Sequence, residues 1–309
     1  MAENEIRRDY LLERYVIVAE GRGKRPCDFV QKAPPVEKKG KVCFFCPGNE
    51  HLTPPETGRI GTKKRWLARS FYNKFPAVSA DFPKARGRHE VLVETPEHVA
   101  KTAELSEEQI ALGLELYAQR VHALYREPEI AYALIFKNEG VAAGISLTHV
   151  HSQLIALPTI PRLPAEELAR YQEHKRRNGD CPYCEIAEKE RKSARKAFEN
   201  EEFLAITPYA SRTPFELLLL PKGHFSNLTE LGEERLLLAR ILKRSLSKLD
   251  TMLNGPAFNF YFHIQPRGMD FHFHIELLPR LTTWAGFELG AEMYINPMPP
   301  EKAAAAYRE

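Results

Sequence analysis

The sequence predicts an α+β protein built as a tandem repeat of two similar units, each a mainly antiparallel sheet with helices. Three observations predict it. A C-x-x-C pair occurs twice, at Cys43/Cys46 and Cys181/Cys184. Each pair is followed by a lone histidine ahead of a helix, His98 or His224. Each then leads to an H-x-H on a strand ending in Leu-Pro, His149-Val150-His151 or His272-Phe273-His274. Around the lone histidines the offsets are identical, His98-x5-Glu104-Leu105-x-Glu107-Glu108 against His224-x5-Glu230-Leu231-x-Glu233-Glu234. Self-similarity of this kind marks a duplicated unit. Each copy is expected to have its own core. The boundary falls in Pro158 to Pro164, which carries three prolines, so the units are residues 1–163 and 164–309.

Composition bounds the function. A chain of 309 residues, 43% apolar and 28% charged, has material for globular cores. With 44 basic and 41 acidic residues the net charge is +3, which gives no reason to expect nucleic acid or an anionic membrane as partner. No run approaches the ~20 apolar residues that span a bilayer. Met1 to Arg8 is polar and charged, unlike a secretory leader, so a cytoplasmic location is expected. In a reducing compartment the C-x-x-C pairs read as metal ligands or redox couples, not as a disulfide framework.

Taken in order, residues 14–19 form a strand, and Gly21 to Pro26 a basic turn. Its Arg22 and Arg25 are either solvated or placed to grip phosphate, for which a planar guanidinium is suited. Aromatics cluster over residues 65–78, and His89 to Glu94 reads as a strand. Ser106 to Arg126 is a helix. Ser106 and Gln109 make a capping-box pair, and Ile110, Leu114, Tyr117, Val121 and Leu124 recur at helical spacing. Ala131 to Phe136 is a strand, and a Gly144/Ser146 loop leads into the first H-x-H strand. In the second unit a charged helical stretch precedes Cys181. Strands follow near Phe203–Thr207 and Phe215–Leu220, then a helix from about Thr229 to Asp250. Ala257–His263 and Phe271–Leu278 are the last strands before a mixed tail with a short final helix.

The repeat bears on the cysteines. A thioredoxin-like couple needs no histidines, whereas two thiolates and two imidazoles make a closed tetrahedral zinc site. The candidate sets are Cys43, Cys46, His98, His149 and Cys181, Cys184, His224, His272, two zinc ions per chain, with either histidine of each H-x-H able to serve. The bland alternative is buried thiols and satisfied histidines.

The two H-x-H strands differ beyond the second histidine. The first continues Ser152-Gln153 and the second Ile275-Glu276. Glutamine donates a hydrogen bond to a phosphoryl oxygen, and ionised glutamate repels it. The first strand also has the Gly144/Ser146 loop, so it is the better candidate for phosphate chemistry. With His149 on zinc, His151 is left free. A neutral imidazole is a competent nucleophile toward phosphorus, which implies a covalent nucleotidyl or phosphoryl intermediate.

Several stretches together resemble galactose-1-phosphate uridylyltransferases and their relatives in the histidine-triad superfamily. They are Gly23-Lys24-Arg25-Pro26, Cys43-Phe44-Phe45-Cys46-Pro47-Gly48, Asn73-Lys74-Phe75-Pro76, and Phe136 through Gln153. The resemblance implies a pair of histidine-triad-like domains, the first catalytic, in a homodimer. It implies His151 as the nucleophile, Gln153 on the transferred phosphoryl group, and Cys43, Cys46, His98 and His149 as zinc ligands. Arg22 and Arg25 fall on phosphate contacts, and Asn73, Asn138, Gly144 and Ser146 on nucleotide-side positions. The second zinc set resembles a variant of some relatives.

Departures from the family pattern are Val150 and Ser152, where proline and glycine are usual. In the tail, Gly286, Ala291 and Met298 stand where lysine, tyrosine and glutamine meet the sugar phosphate. That tail and the H-x-H-Ser-Gln form resemble ADP-glucose phosphorylase. The expected activity is nucleotidyl transfer from a nucleoside diphosphate sugar, foremost UDP-glucose:hexose-1-phosphate uridylyl transfer in galactose metabolism. The runner-up is phosphorolysis of ADP-glucose with phosphate as acceptor. A hydrolase of the superfamily and a non-catalytic zinc-stabilised nucleotide-binding module are further alternatives.

Overall fold

The computed structural model describes residues 4–22, 42–145 and 147–309. The chain opens with an antiparallel hairpin, β1 (Glu5–Arg8) and β2 (Tyr15–Val18). Next come β3 (Glu56–Gly61), β4 (Trp66–Tyr72), β5 (Arg88–Val93), α1 (Glu107–Tyr125), β6 (Tyr132–Glu139) and β7 (His151–Leu157). The second half begins with α2 (Arg162–Asn178) and α3 (Pro182–Glu190). It continues through β8 (Lys196–Glu199), β9 (Phe203–Ile206), β10 (Leu217–Pro221), α4 (Glu234–Leu253), β11 (Phe258–His263) and β12 (His274–Pro279). The tail holds α5 (Gly286–Ala291), β13 (Tyr294–Asn296) and α6 (Pro300–Arg308). Among the described residues no helix is long and apolar enough to cross a membrane.

Ten strands form one sheet in the order β3-β4-β5-β7-β6-β11-β12-β10-β9-β8. The second half repeats the first in reverse order, as rotation about the central pair requires. That pair, β6 and β11, is antiparallel, with Asn138 opposite Asn259 and Lys137 opposite Phe260. The duplication is therefore a continuous sheet, not two sheets that touch.

A shared core follows, which corrects the expectation of a core for each unit. One cluster holds Leu114, Leu124, Ile135 and Leu154 from the first half with Leu238, Leu246, Phe262 and Ile275 from the second. The sheet offers one unbroken face, and α1 and α4 lie side by side on it, so the apolar stripes of both helices close over the same surface. The N-terminal hairpin packs on the second half. Leu11 joins the cluster of Leu168, Tyr171 and Tyr183, and β13 extends the hairpin as a parallel third strand.

Two local expectations change. Ser106 Oγ does accept from the Gln109 backbone N–H at 3.1 Å. The Gln109 side chain, however, donates to the Leu67 and Glu94 carbonyls at 2.8 and 2.6 Å, so only half of the capping box forms. The strand of the first H-x-H begins at His151, not His149. Its partner β5 ends at Val93, opposite His151, just before Thr95-Pro96 turns the chain away. The preceding turn is held by other bonds, Val150 N–H to the Val99 carbonyl at 3.0 Å and His149 Nε2–H to the Thr95 carbonyl at 2.9 Å. The second half behaves alike, with β12 starting at His274.

Candidate active site

The first C-x-x-C lies in a turn braced from within, Asn49 Nδ2 donating to the Cys43 carbonyl at 2.9 Å. Phe45, between the cysteines, is buried against Phe71 and turns an edge toward His151, with ring centroids 5.2 Å apart. His98 comes from the chain after β5 and His149 from the turn before β7. Cys43 Sγ is 3.5 Å and Cys46 Sγ 3.6 Å from His149 Nδ1, and Cys46 Sγ is 3.3 Å from His98 Nδ1. The four donor atoms lie within 4.8 Å of one another. Because His149 Nε2 carries the proton given to Thr95, its Nδ1 presents a lone pair to the sulfurs, as a metal-binding imidazole must. Burial, together with the neighbouring Cys43, pushes the Cys46 thiol up to about 11, a tendency that a bound cation reverses.

The second set repeats this arrangement. Cys181 Sγ is 3.4 Å and Cys184 Sγ 3.6 Å from His272 Nδ1, and Cys184 Sγ is 3.8 Å from His224 Nδ1. A hydrogen bond from Cys184, with His272 beside it, holds the Cys181 thiol below the usual thiol range. His224 Nε2 faces Asp270 Oδ1 at 3.2 Å. Both expected ligand sets are thus assembled, and in each H-x-H the first histidine meets the sulfurs.

His151 is only 8% exposed. Its Nδ1–H donates to the His149 carbonyl at 2.8 Å, which leaves Nε2 with the lone pair. Burial lowers its pKa and favours the neutral ring. Gln153 is two residues on and shares the strand face. Its Oε1 receives His89 Nε2 at 2.9 Å and lies 3.5 Å from Asn73 Nδ2.

The residue between them, Ser152, points to the helix side into a closed charged cluster. Ser152 Oγ donates to Glu94 at 2.6 Å, Tyr117 OH bonds to both, and Lys137 Nζ meets both Glu94 oxygens at 2.6 Å. Burial alone would raise the Glu94 pKa, but Lys137 and the hydroxyls hold it below the usual carboxylate range. The cluster pins the strand segment that carries His151 and Gln153.

Other expected residues divide. Asn73 abuts Gln153. Asn138 shares the Gln153 face, since Phe136 pairs with Gln153 and lies two residues away. Asn259 Nδ2 donates to Asn138 Oδ1 at 2.8 Å and to the Ala143 carbonyl at 3.1 Å, tying β6 to the turn that ends at Gly144. Gly144 has φ +90°, a left-handed conformation that suits glycine. Arg22 is exposed in the turn Glu20–Arg22, and no described contact joins it to His151. Arg25 and Ser146 lie outside the described residues. Sequence reasoning missed His89, Phe45 and Asn259 as neighbours of the site. Phe45 alone carried a signal, its place inside the C-x-x-C.

Residues 1–161 match the family described as galactose-1-phosphate uridyl transferase, N-terminal domain, and residues 180–284 match scavenger mRNA decapping enzyme C-term binding. ADP-glucose phosphorylase of Arabidopsis thaliana is 31% identical, covering 99% of this chain and 92% of that one. Galactose-1-phosphate uridylyltransferase of Thermotoga maritima is also 31% identical, covering 99% and 98%. The chain belongs to the galactose-1-phosphate uridyl transferase family. Among solved structures, the Arabidopsis thaliana ADP-glucose phosphorylase with bound ADP-glucose superposes with a TM-score of 0.88 at 29% identity over 99% of each chain. A uridylyltransferase superposes at 0.78 with 31% identity, over 99% of this chain and 97% of that one.

Within this uridyl transferase fold the second half carries a closed counterpart of the site. His274 repeats the bond of His151, its Nδ1–H donating to the His272 carbonyl at 3.0 Å. Its Nε2 is met by Glu167 Oε1 at 3.1 Å, and Tyr183, placed like Phe45, lies over its ring at 4.5 Å. Glu276, in the place of Gln153, pairs with buried Arg212 and with Arg14. Glu167, His263 and His274 form a third group of donor atoms within 4.8 Å, which the sequence did not announce.

Proposed function

We propose that this chain transfers a nucleotidyl group from a nucleoside diphosphate sugar through a covalent intermediate on His151. One observation carries the reading. His151 has its Nδ1 committed to the His149 carbonyl and its Nε2 without a hydrogen-bond partner among the described residues, and Gln153 stands beside it on the same strand face. Nε2 attacks the α-phosphorus, a P–N bond forms, and the bond from phosphorus to the sugar phosphate oxygen breaks. The sugar 1-phosphate leaves with that electron pair. The imidazolium so formed keeps its Nδ1–H on the His149 carbonyl, which stabilises the new charge. The Gln153 amide donates to a phosphoryl oxygen as charge gathers there. A phosphate oxygen of the acceptor then attacks phosphorus and frees His151.

Cys43, Cys46, His98 and His149 would hold one zinc ion, and Cys181, Cys184, His224 and His272 a second. Zinc there supplies a structural anchor that fixes the turn two residues from the nucleophile. Arg22, Arg25, Asn73, Asn138, Gly144 and Ser146 belong to the substrate side of this reading. A homodimer in the cytoplasm completes it, with light scattering as the check on assembly.

The first choice of substrates is UDP-glucose with a hexose 1-phosphate acceptor. ADP-glucose with inorganic phosphate is the second, and the tail favours it. Met298 is 3% exposed and belongs to the core, and Gly286 and Ala291 offer no polar side chain to a sugar phosphate. Intact-protein mass spectrometry after mixing with UDP-glucose or ADP-glucose tests both. A UMP or AMP adduct that His151→Ala abolishes supports the mechanism and names the base. No adduct from either donor overturns it.

A further inference from the structure

We infer that His89 is a positioning residue that sets which end of the Gln153 amide faces the reacting phosphoryl group. The inference rests on the covalent reading given above. His89 lies on β5, two pairs along the ladder from Gln153 and on the same sheet face, since Val91 pairs with Gln153 and His89 with Ile155. It is 7% exposed, and nothing in the proposed chemistry uses it.

An amide oxygen and an amide nitrogen have nearly the same shape, so packing alone does not orient a glutamine. Its hydrogen-bond partners do. The Ala77 backbone N–H points at His89 Nδ1 at 3.1 Å and makes that nitrogen an acceptor. Burial keeps the ring neutral by lowering its pKa. A neutral imidazole that accepts at Nδ1 carries its proton on Nε2. That proton faces Gln153 at 2.9 Å, so the atom there must be the oxygen.

Asn73 gives the same answer. Its Oδ1 accepts from the Phe75 N–H at 2.9 Å, which makes the other atom the amide nitrogen, a second donor 3.5 Å from Gln153 Oε1. This nitrogen also lies 3.2 Å from His89 Nε2, so two donors converge on one oxygen. With Oε1 committed, the Gln153 –NH2 is the end left for substrate. Turned over, the side chain would offer its oxygen to a phosphoryl oxygen, and two acceptors repel. The backbone at Ala77 thus fixes the tautomer of His89, and His89 fixes the amide.

The test compares two substitutions of nearly equal shape in the full-length protein. His89→Gln keeps an N–H donor toward Gln153, and His89→Met removes it. The rate of adduct formation on His151 is read in rapid-quench experiments with UDP-glucose and ADP-glucose. His89→Met should slow it roughly tenfold to hundredfold, part of the loss seen when an oxyanion donor is removed. His89→Gln should stay within about threefold of the parent. In a Gln153→Ala background His89→Met should cost less than about twofold, because the group it orients is gone.

Equal rates for the two variants, or the same Met penalty in both backgrounds, would overturn the inference. Should the variants fail to fold, nitrogen-15 imidazole shifts of the parent protein decide. A His89 proton on Nε2 supports the inference, and one on Nδ1 ends it. Absence of any adduct on the parent protein would instead remove the covalent reading itself.

Discussion

Lys137 Nζ lies 2.6 Å from both carboxylate oxygens of Glu94, and both side chains are almost wholly buried behind the strand that carries His151. Taking one partner away leaves a charge in an apolar core, which costs about 3–5 kcal/mol. Lys137→Met should therefore destabilise the protein by that order in urea unfolding. Adding Glu94→Gln should recover most of the loss, because a neutral amide still accepts from Ser152 and Tyr117. A double variant as unstable as Lys137→Met would show that the charge is not the cause.

That pair also marks where the sequence stops being legible. The two metal sets could be read because their ligands come in a repeated order, and repetition separates ligands from incidental histidines. Glu94 follows β5 and Lys137 lies on β6, 43 residues apart, and nothing local says that their side chains point inward to meet. His89 is one histidine at the start of a strand, and its partner Gln153 becomes a neighbour only through the pairing of β5 with β7. The core shared by both halves was hidden for the same reason. Pairing of β6 with β11 joins residues of different halves, and duplication of a motif leaves open whether the copies fuse. At His149 the local signal misled. Alternation suggests a strand through both histidines, but Thr95-Pro96 ends the partner strand and leaves His149 in a turn.

Acid should unfold the protein partly through Glu199. Lys222 pulls its pKa from 4.5 to about 2, with Lys196 assisting. A carboxylate lowered on folding contributes stability that is fully present above its unfolded pKa and is lost as pH falls through the folded one. The window is therefore about pH 4.5 down to about 2. Solvent screens this network, so its contribution is about 1 kcal/mol. Glu199→Gln should flatten that limb of the stability–pH curve and leave the region above pH 5 parallel to the parent. A limb unchanged in steepness would refute the assignment.

Metal content should follow the two cysteine pairs independently, because each set closes within its own half. Cys43→Ser and Cys181→Ser should each lower zinc by about one equivalent per chain relative to the parent, by plasma emission spectrometry. Chelation should lower the melting temperature, since ligands that bind only the folded state stabilise it. Only Cys43→Ser should also slow adduct formation, because only that set holds the turn next to His151. Loss of both metals from either single variant would mean that the halves are coupled through the shared core.

The two second histidines should part company in the same assay. His151 and His274 make the same backbone bond, so both offer Nε2, and neither sequence position nor strand geometry ranks them. What differs is the atom each Nε2 meets. Glu167 stands 3.1 Å from that of His274, and Tyr183 covers the ring, so no phosphorus reaches it in line. Glu276 adds a carboxylate where Gln153 offers an amide, and a carboxylate repels phosphate. His151→Ala should abolish the nucleotidyl adduct with little change in stability. His274→Ala should keep the adduct and lose stability on the order of 1–3 kcal/mol, because Glu167 is left without one of its buried partners. An adduct that survives His151→Ala and disappears with His274→Ala would move the chemistry to the second half.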